Sequence, residues 1–343
     1  MTTHGHNRRQ FLQRTALGLA GATLAGAVPG PAASAEAGTT QGIQGRAYAS
    51  GRYMLVLDGV QCGFVKSIEG GHVTADVVSD PAAAGTFPNK RLGTVRVEPF
   101  RIGADFSMTG KLFSWLAGTA AGGGKRQDGV VIACDYDYNA KSQREFSEAL
   151  ITEIGFPACD AASKDAGVVT VAFQPQTLRI GKGSGKVSYA AKNAAQRLWI
   201  PSNFRLEIDG LDCTKVNKVD AFTWKQGVQP DETGNARDTK DPGTVEVPNL
   251  NVTFPEVWAQ TWTAWHEDFV IKGNNDDGQE KGGRLVFLAP NRQTELMSLI
   301  FHNLGIFRLA DDKDDASPNT IKRMRAELYC EKVEVSYNAA VLG

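Results

Sequence analysis

Tyr48-Ala49-Ser50-Gly51-Arg52-Tyr53-Met54-Leu55-Val56-Leu57-Asp58-Gly59-Val60-Gln61-Cys62 lies over Trp199-Ile200-Pro201-Ser202-Asn203-Phe204-Arg205-Leu206-Glu207-Ile208-Asp209-Gly210-Leu211-Asp212-Cys213. Aromatic falls on aromatic, Asp-Gly on Asp-Gly and cysteine on cysteine. Tyr53, Leu55 and Leu57 alternate with other residues up to Asp58-Gly59, as Phe204, Leu206 and Ile208 do up to Asp209-Gly210. This is the pattern of a half-buried strand running into a tight turn. Further anchors keep the spacing: Gly93-Thr94-Val95-Arg96-Val97 over Gly243-Thr244-Val245-Glu246-Val247, Trp115 over Trp265, and Ile154-Gly155-Phe156 over Leu304-Gly305-Ile306. A period of about 150 residues is far longer than a solenoid repeat and reads as a duplicated domain.

Each half carries the same signals in the same order. A long stretch rich in turn residues, Ser79 to Leu92 and Gln226 to Pro242, reads as a loop. A strand follows in each half. The period then changes: Leu112, Trp115 and Leu116 in one half, and Trp258, Trp262, Trp265 and Phe269 in the other, each line one face of a helix. Val130-Val131-Ile132 with Val169, Val171 and Phe173, and Leu285-Val286-Phe287 with Leu328, Val333 and Val335, predict the closing strands. The expected fold is mostly β, two tandem β-sandwich or barrel domains with one flanking α-helix each. The domains span 48–180 and 199–343. Gly181-Lys182-Gly183-Ser184-Gly185-Lys186 opens a linker over 181–198.

The N-terminus reads as an export signal over 1–35, followed by a flexible segment over 36–47. Arg8 and Arg9, one spacer, then Phe11 and Leu12 form the twin-arginine pattern. A weakly apolar Ala/Gly stretch from Ala16 to Val28 follows, too short for the ~20 residues of a membrane span. Ala33 and Ala35 flank a small-x-small cleavage site. An ordinary secretory signal is the alternative. The expected location is therefore periplasmic or extracellular. No other segment reads as membrane-spanning. Without Arg8, Arg9 and Arg14 the 37 basic residues fall to 34 against 38 acidic ones, a net charge of −4. That balance offers no electrostatic footprint for nucleic acid. Cys62, Cys134, Cys159, Cys213 and Cys330 are odd in number, so at least one is unpaired in a monomer.

Chemistry-bearing patterns are absent. Gly181 to Lys186 departs from the phosphate loop, since Ile180 stands where its first glycine belongs and Val187 where it needs Ser or Thr. His72, His266 and His302 have no metal-binding spacing. Asp311-Asp312-Lys313-Asp314-Asp315 and Asn274-Asn275-Asp276-Asp277-Gly278 lack the terminal acid of an EF-hand loop and read as solvated loop tips. Cys134-Asp135-Tyr136-Asp137-Tyr138 alternates as a strand would. No catalytic, cofactor-binding or metal-binding residue is assigned, and no cofactor is expected.

With this element order in hand, the halves resemble the tail tube proteins of contractile phages and the related tube protein of type VI secretion, the haemolysin-coregulated protein. The resemblance rests on the strand into Asp58-Gly59, the stretch ending at Pro88-Asn89-Lys90-Arg91-Leu92-Gly93, the strand after it, and the helix with Leu112 and Trp115. Asp209-Gly210, Gly243 to Val247, and Trp262 with Trp265 repeat it. It implies a non-catalytic structural protein that partners itself, with six domains to a ring and rings stacked into a tube. Two domains per chain would make the ring a homotrimer. Family members are usually single domains without export signals, so the N-terminus departs from the pattern. A monomeric envelope binding module and an exported enzyme remain as alternatives.

Overall fold

The computed structural model describes residues 51–81, 87–189, 199–230, 240–312 and 321–342. The first half runs through β1 (Arg52–Leu57), β2 (Val60–Val65), β3 (Ser67–Gly70), β4 (Val73–Ser79), β5 (Lys90–Val97), β6 (Phe100–Ala104) and α1 (Gly110–Gly118). It continues through β7 (Gln127–Cys134), β8 (Ala140–Phe156), β9 (Cys159–Asp160), β10 (Val169–Gln174) and β11 (Thr177–Lys182). The second half contains β12 (Phe204–Ile208), β13 (Lys218–Val219), β14 (Phe222–Pro230), β15 (Lys240–Glu246), β16 (Leu250–Pro255) and α2 (Gln260–His266). β17 (Lys281–Leu288), β18 (Glu295–Asp311), β19 (Arg323–Tyr337) and a single closing turn, α3 (Ala339–Leu342), complete it. The fold is mostly β.

The order of strand pairing recurs. β1 pairs with β7, β7 with β8, β8 with β10, β10 with β6 and β6 with β3. β12, β17, β18, β19, β16 and β13 follow each other in the same way. Every pairing is antiparallel, and the alternation read from the sequence sets which face is inside. Leu55 and Leu57 enter the main core with Leu206 and Ile208. Asp58 and Gly59 both take positive φ, 46° and 78°, the turn that returns β2 along β1. Only Gly210 is left-handed in the second Asp-Gly. No strand returns there, because Asp212 turns the chain through its bonds to the Thr214 amide and hydroxyl.

The halves share their core. Phe106, from between β6 and α1, packs edge-on to Trp199 at 5.8 Å between ring centres, and Phe156 of β8 stacks on Phe287 of β17 at 5.8 Å. α1 is wedged inward, with Phe113 6.2 Å from the Tyr337 ring of β19. Its predicted face, Leu112, Trp115 and Leu116, is buried. Trp262, Trp265 and Phe269 are buried as well, whereas Trp258 sits in a separate 3-10 turn and is half-exposed.

Besides Trp258, expected on the helix face, four features differ from the sequence reading. Ser79–Leu92 and Gln226–Pro242 are not loops throughout: β4–β5 and β14–β15 are hairpins whose strands run into both stretches. Part of the predicted linker is fixed to the first half. Lys182 ends β11, Lys186 bridges to Asn139, and Val187 is buried with Met54 and Cys134. Residues 190–198 lie outside the described residues. Asp135 to Tyr138 form a turn instead of a strand, because Asp135 Oδ1 accepts the amides of Asp137 and Asn139 at 3.0 and 2.9 Å.

The fourth concerns alignment. Leu55 faces Val131 where Leu206 faces Leu285, and Val131 faces Arg144 where Leu285 faces Leu299. Phe173 faces Ile151 and Leu328 faces Ile306, with Thr152 and Phe307 skipped at matching bulges. Ile154 therefore corresponds to Leu309, and its placement over Leu304 is five residues out. The connection from Trp265 to β17 is four residues longer than that from Trp115 to β7, and the turn from β17 to β18 is one residue longer than that from β7 to β8, which together make up the difference.

Candidate assembly surface

Among the described residues no group of three or more His, Cys, Asp or Glu side chains is placed to hold a metal ion. His302 on β18 lies 3.5 Å from Glu334, and His72 is exposed between β3 and β4. The cleft beside the Asp58 turn holds its polar groups in pairs: Lys111 donates to Asp58 at 2.7 Å, Ser147 bonds Thr177, and Arg179 faces Glu145. The Lys111 ammonium holds Asp58 below the usual carboxylate range. All five thiols are unpaired, and burial pushes Cys62, Cys213 and Cys330 up to about 11 and Cys159 to about 12. Such thiols are poor nucleophiles at neutral pH. Arg8, Arg9, Phe11, Leu12, Ala33 and Ala35 lie outside the described residues.

What the fold does present is sheet edges. One is used inside the chain. β14 of the second half adds to β8 of the first, with Phe222 opposite Phe156, Thr223 opposite Gly155, Trp224 opposite Ile154 and Lys225 opposite Glu153. Phe222, Trp224, Ile154 and Phe156 are all buried. The hairpin that β14 forms with β15 then lies on the first half. Arg126 Nη2 donates to Asp241 Oδ1 at 2.7 Å, and Pro242 approaches Gly124 so closely that a Cβ there would stand 2.6 Å from its ring. Arg101 holds Glu153 with two bonds of 2.7 Å and keeps its carboxyl below the usual range.

The counterpart edges stay open. β8 is joined by β10 on one side of Glu153–Phe156 and by β14 on the other. The corresponding Arg308–Asp311 of β18 pairs with β19 on one side, while β17 reaches only as far as Leu304. Among the described residues the other side pairs with nothing. β4 is likewise paired with β5 alone, as a separate two-stranded sheet. One face of that hairpin is apolar and in water: Val73 is 48 %, Val77 64 %, Leu92 75 % and Val95 64 % exposed. An isolated hairpin with an apolar exposed face is marginal in water and a template for pairing. Sequence reading missed these edges, because alternation in Val73, Ala75 and Val77 marks a strand without saying what covers it.

No family model matches the chain, and no curated protein does. Solved structures do. A chain of the PVC sheath–tube complex of an extracellular contractile injection system, in the extended state, is similar at 15 % identity and a TM-score of 0.36, covering 40 % of this chain and 94 % of that one. The anti-feeding prophage cap, which terminates its tube, has a chain similar at 15 % identity and 0.34, covering 40 % and 91 %. Hcp1 from Flavobacterium johnsoniae is similar at 20 % identity and 0.27, covering 40 % of this chain and 99 % of Hcp1.

Proposed function

We propose that the chain is an exported, non-catalytic structural protein of two tandem tail-tube-like domains that assembles head to tail, three chains to a pseudo-hexameric ring, with rings stacking into a tube. The observation that carries this reading is the unequal use of equivalent edges. β14 closes on β8 inside the chain, while β4, paired with β5 alone, and the end of β18, paired with β19 alone, each keep one side open among the described residues. Two different open surfaces at opposite ends of a repeat make a heterologous contact, which generates a ring if the rotation closes and a filament if it does not. Strand addition supplies affinity through backbone bonds and strict geometry through register.

Size exclusion coupled to light scattering, over a concentration series of purified mature chain, tests the reading. A three-chain species is expected, with rings or stacks by negative-stain microscopy. A monomer at every concentration overturns it and leaves the envelope binding module.

A further inference from the structure

The seam inside the chain specifies its counterpart between chains. In β4–β5 Ala75 faces Val95, and in β14–β15 Gln226 faces Val245, with the same bulge following each. Trp224 therefore corresponds to Val73, Lys225 to Thr74, Asp241 to Arg91 and Pro242 to Leu92. On the receiving side Gln127 faces Ala149 where Lys281 faces Leu304. Arg126 thus corresponds to Glu280 and Gly124 to Gly278, while Ile154 and Glu153 correspond to Leu309 and Arg308.

We propose that β4 of one chain adds to the open edge of β18 in a second copy, Val73 opposite Leu309 and Thr74 opposite Arg308, with Arg91 of the first paired to Glu280 of the second. The proposal rests on the head-to-tail reading above and names the residues that meet. Three correspondences carry it. First, Arg126–Asp241 becomes Glu280–Arg91, an ion pair again, with its signs exchanged. Arg91 is 69 % exposed and, among the described residues, has only Asp80, 3.6 Å away, as an ion-pair partner. Glu280 accepts a bond from Tyr329 at 2.7 Å and has no ion-pair partner among the described residues. Second, the glycine under Pro242 is matched by a glycine, Gly278, where the exposed Leu92 would rest. Third, Gly70 and Gly71 set off the hairpin at φ 69° and 65°, and β carbons there would strike Pro99 O and the Phe100 ring. A two-glycine joint lets β4 leave its own half at an angle open to few other residues.

The exchanged signs also dictate order. A β4–β5 hairpin placed on the edge that β14 occupies would set Arg91 against Arg126. A β14–β15 hairpin on the edge of β18 would set Asp241 against Glu280. Like charges brought together discriminate against wrong partners. First and second halves must therefore alternate around the assembly.

Two variants test the junction on the purified chain, with thermal unfolding as the check on folding. In Val73→Cys/Leu309→Cys, facing strand positions come within disulfide reach. Oxidation should give reductant-sensitive chain multimers on a denaturing gel, while each single variant stays chain-sized. Arg91→Glu and Glu280→Arg should each weaken assembly roughly tenfold or more at low salt, and R91E/E280R should restore it. Assembly without the cross-link, and unaffected by R91E, overturns the junction and leaves the head-to-tail reading standing. Monomers throughout overturn both.

Discussion

Trp224 of the second half sits directly opposite Ile154 of the first, both buried, and 2.7 Å joins Arg126 to Asp241 at the rim of the same seam. The two contacts contribute unequally. Removing a buried tryptophan side chain costs about 3–5 kcal/mol. A partly exposed ion pair contributes less than about 1 kcal/mol. Trp224→Ala should lower the denaturant midpoint strongly, and Asp241→Asn should barely move it. Equal effects would show that the seam is held by its charges.

Acid should loosen the same seam. Arg101 holds Glu153 in its charged form, so the folded pKa lies below the unfolded value. Arg284 and Arg205 do the same for Glu207 on β12. For a depressed carboxylate the added stability is complete above the ordinary glutamate range and is lost as pH falls through the folded pKa. Stability should therefore decline below about pH 4.5. Glu153→Gln should start from a lower plateau at pH 7 and show a shallower acid limb. An identical acid limb in the variant would remove Glu153 from the account.

Thiol accessibility should report global unfolding. With Cys62, Cys213 and Cys330 raised to about 11 and Cys159 to about 12, little thiolate exists at pH 8. A thiol reagent should react slowly with the native chain and with five groups after denaturation. Rapid labelling of the native chain would contradict the burial of these groups.

Export should depend on the arginine pair. Arg8→Lys/Arg9→Lys is expected to retain the precursor in the cytoplasm, and processing of the natural chain should leave Glu36 first. Undiminished export of the variant would point to an ordinary secretory signal.

The element order, the core faces of β1 and β12, and the helix face of α1 were legible because each depends on local periodicity. In the second half the same periodicity found Trp262, Trp265 and Phe269 but wrongly added Trp258, which sits in a separate turn. Register was not legible. Leu304-Gly305-Ile306 matches Ile154-Gly155-Phe156 in residue type, but the bulges at Thr152 and Phe307 and the positive φ of Glu148 and Asn303 set the true correspondence five residues later. Hydrogen bonds and bulges fix a strand's partner, and residue types along one strand do not encode them. The shared core was hidden for the same reason: Phe106 and Trp199 are distant in sequence and meet only after both sheets form. Arg91 and Glu280 drew no notice as single charges. Their significance comes from the register that aligns them with Asp241 and Arg126.

The seam between β8 and β14 would also change the mass action of the proposed assembly. Its two edges belong to one chain, so each meets the other at an effective concentration on the order of millimolar however dilute the protein. For the proposed ring, half of the seams are thus formed before any encounter. Closure then varies with the third power of chain concentration, where six separate domains would need the sixth. A protein released into the dilution outside a cell would gain most from that reduction in order.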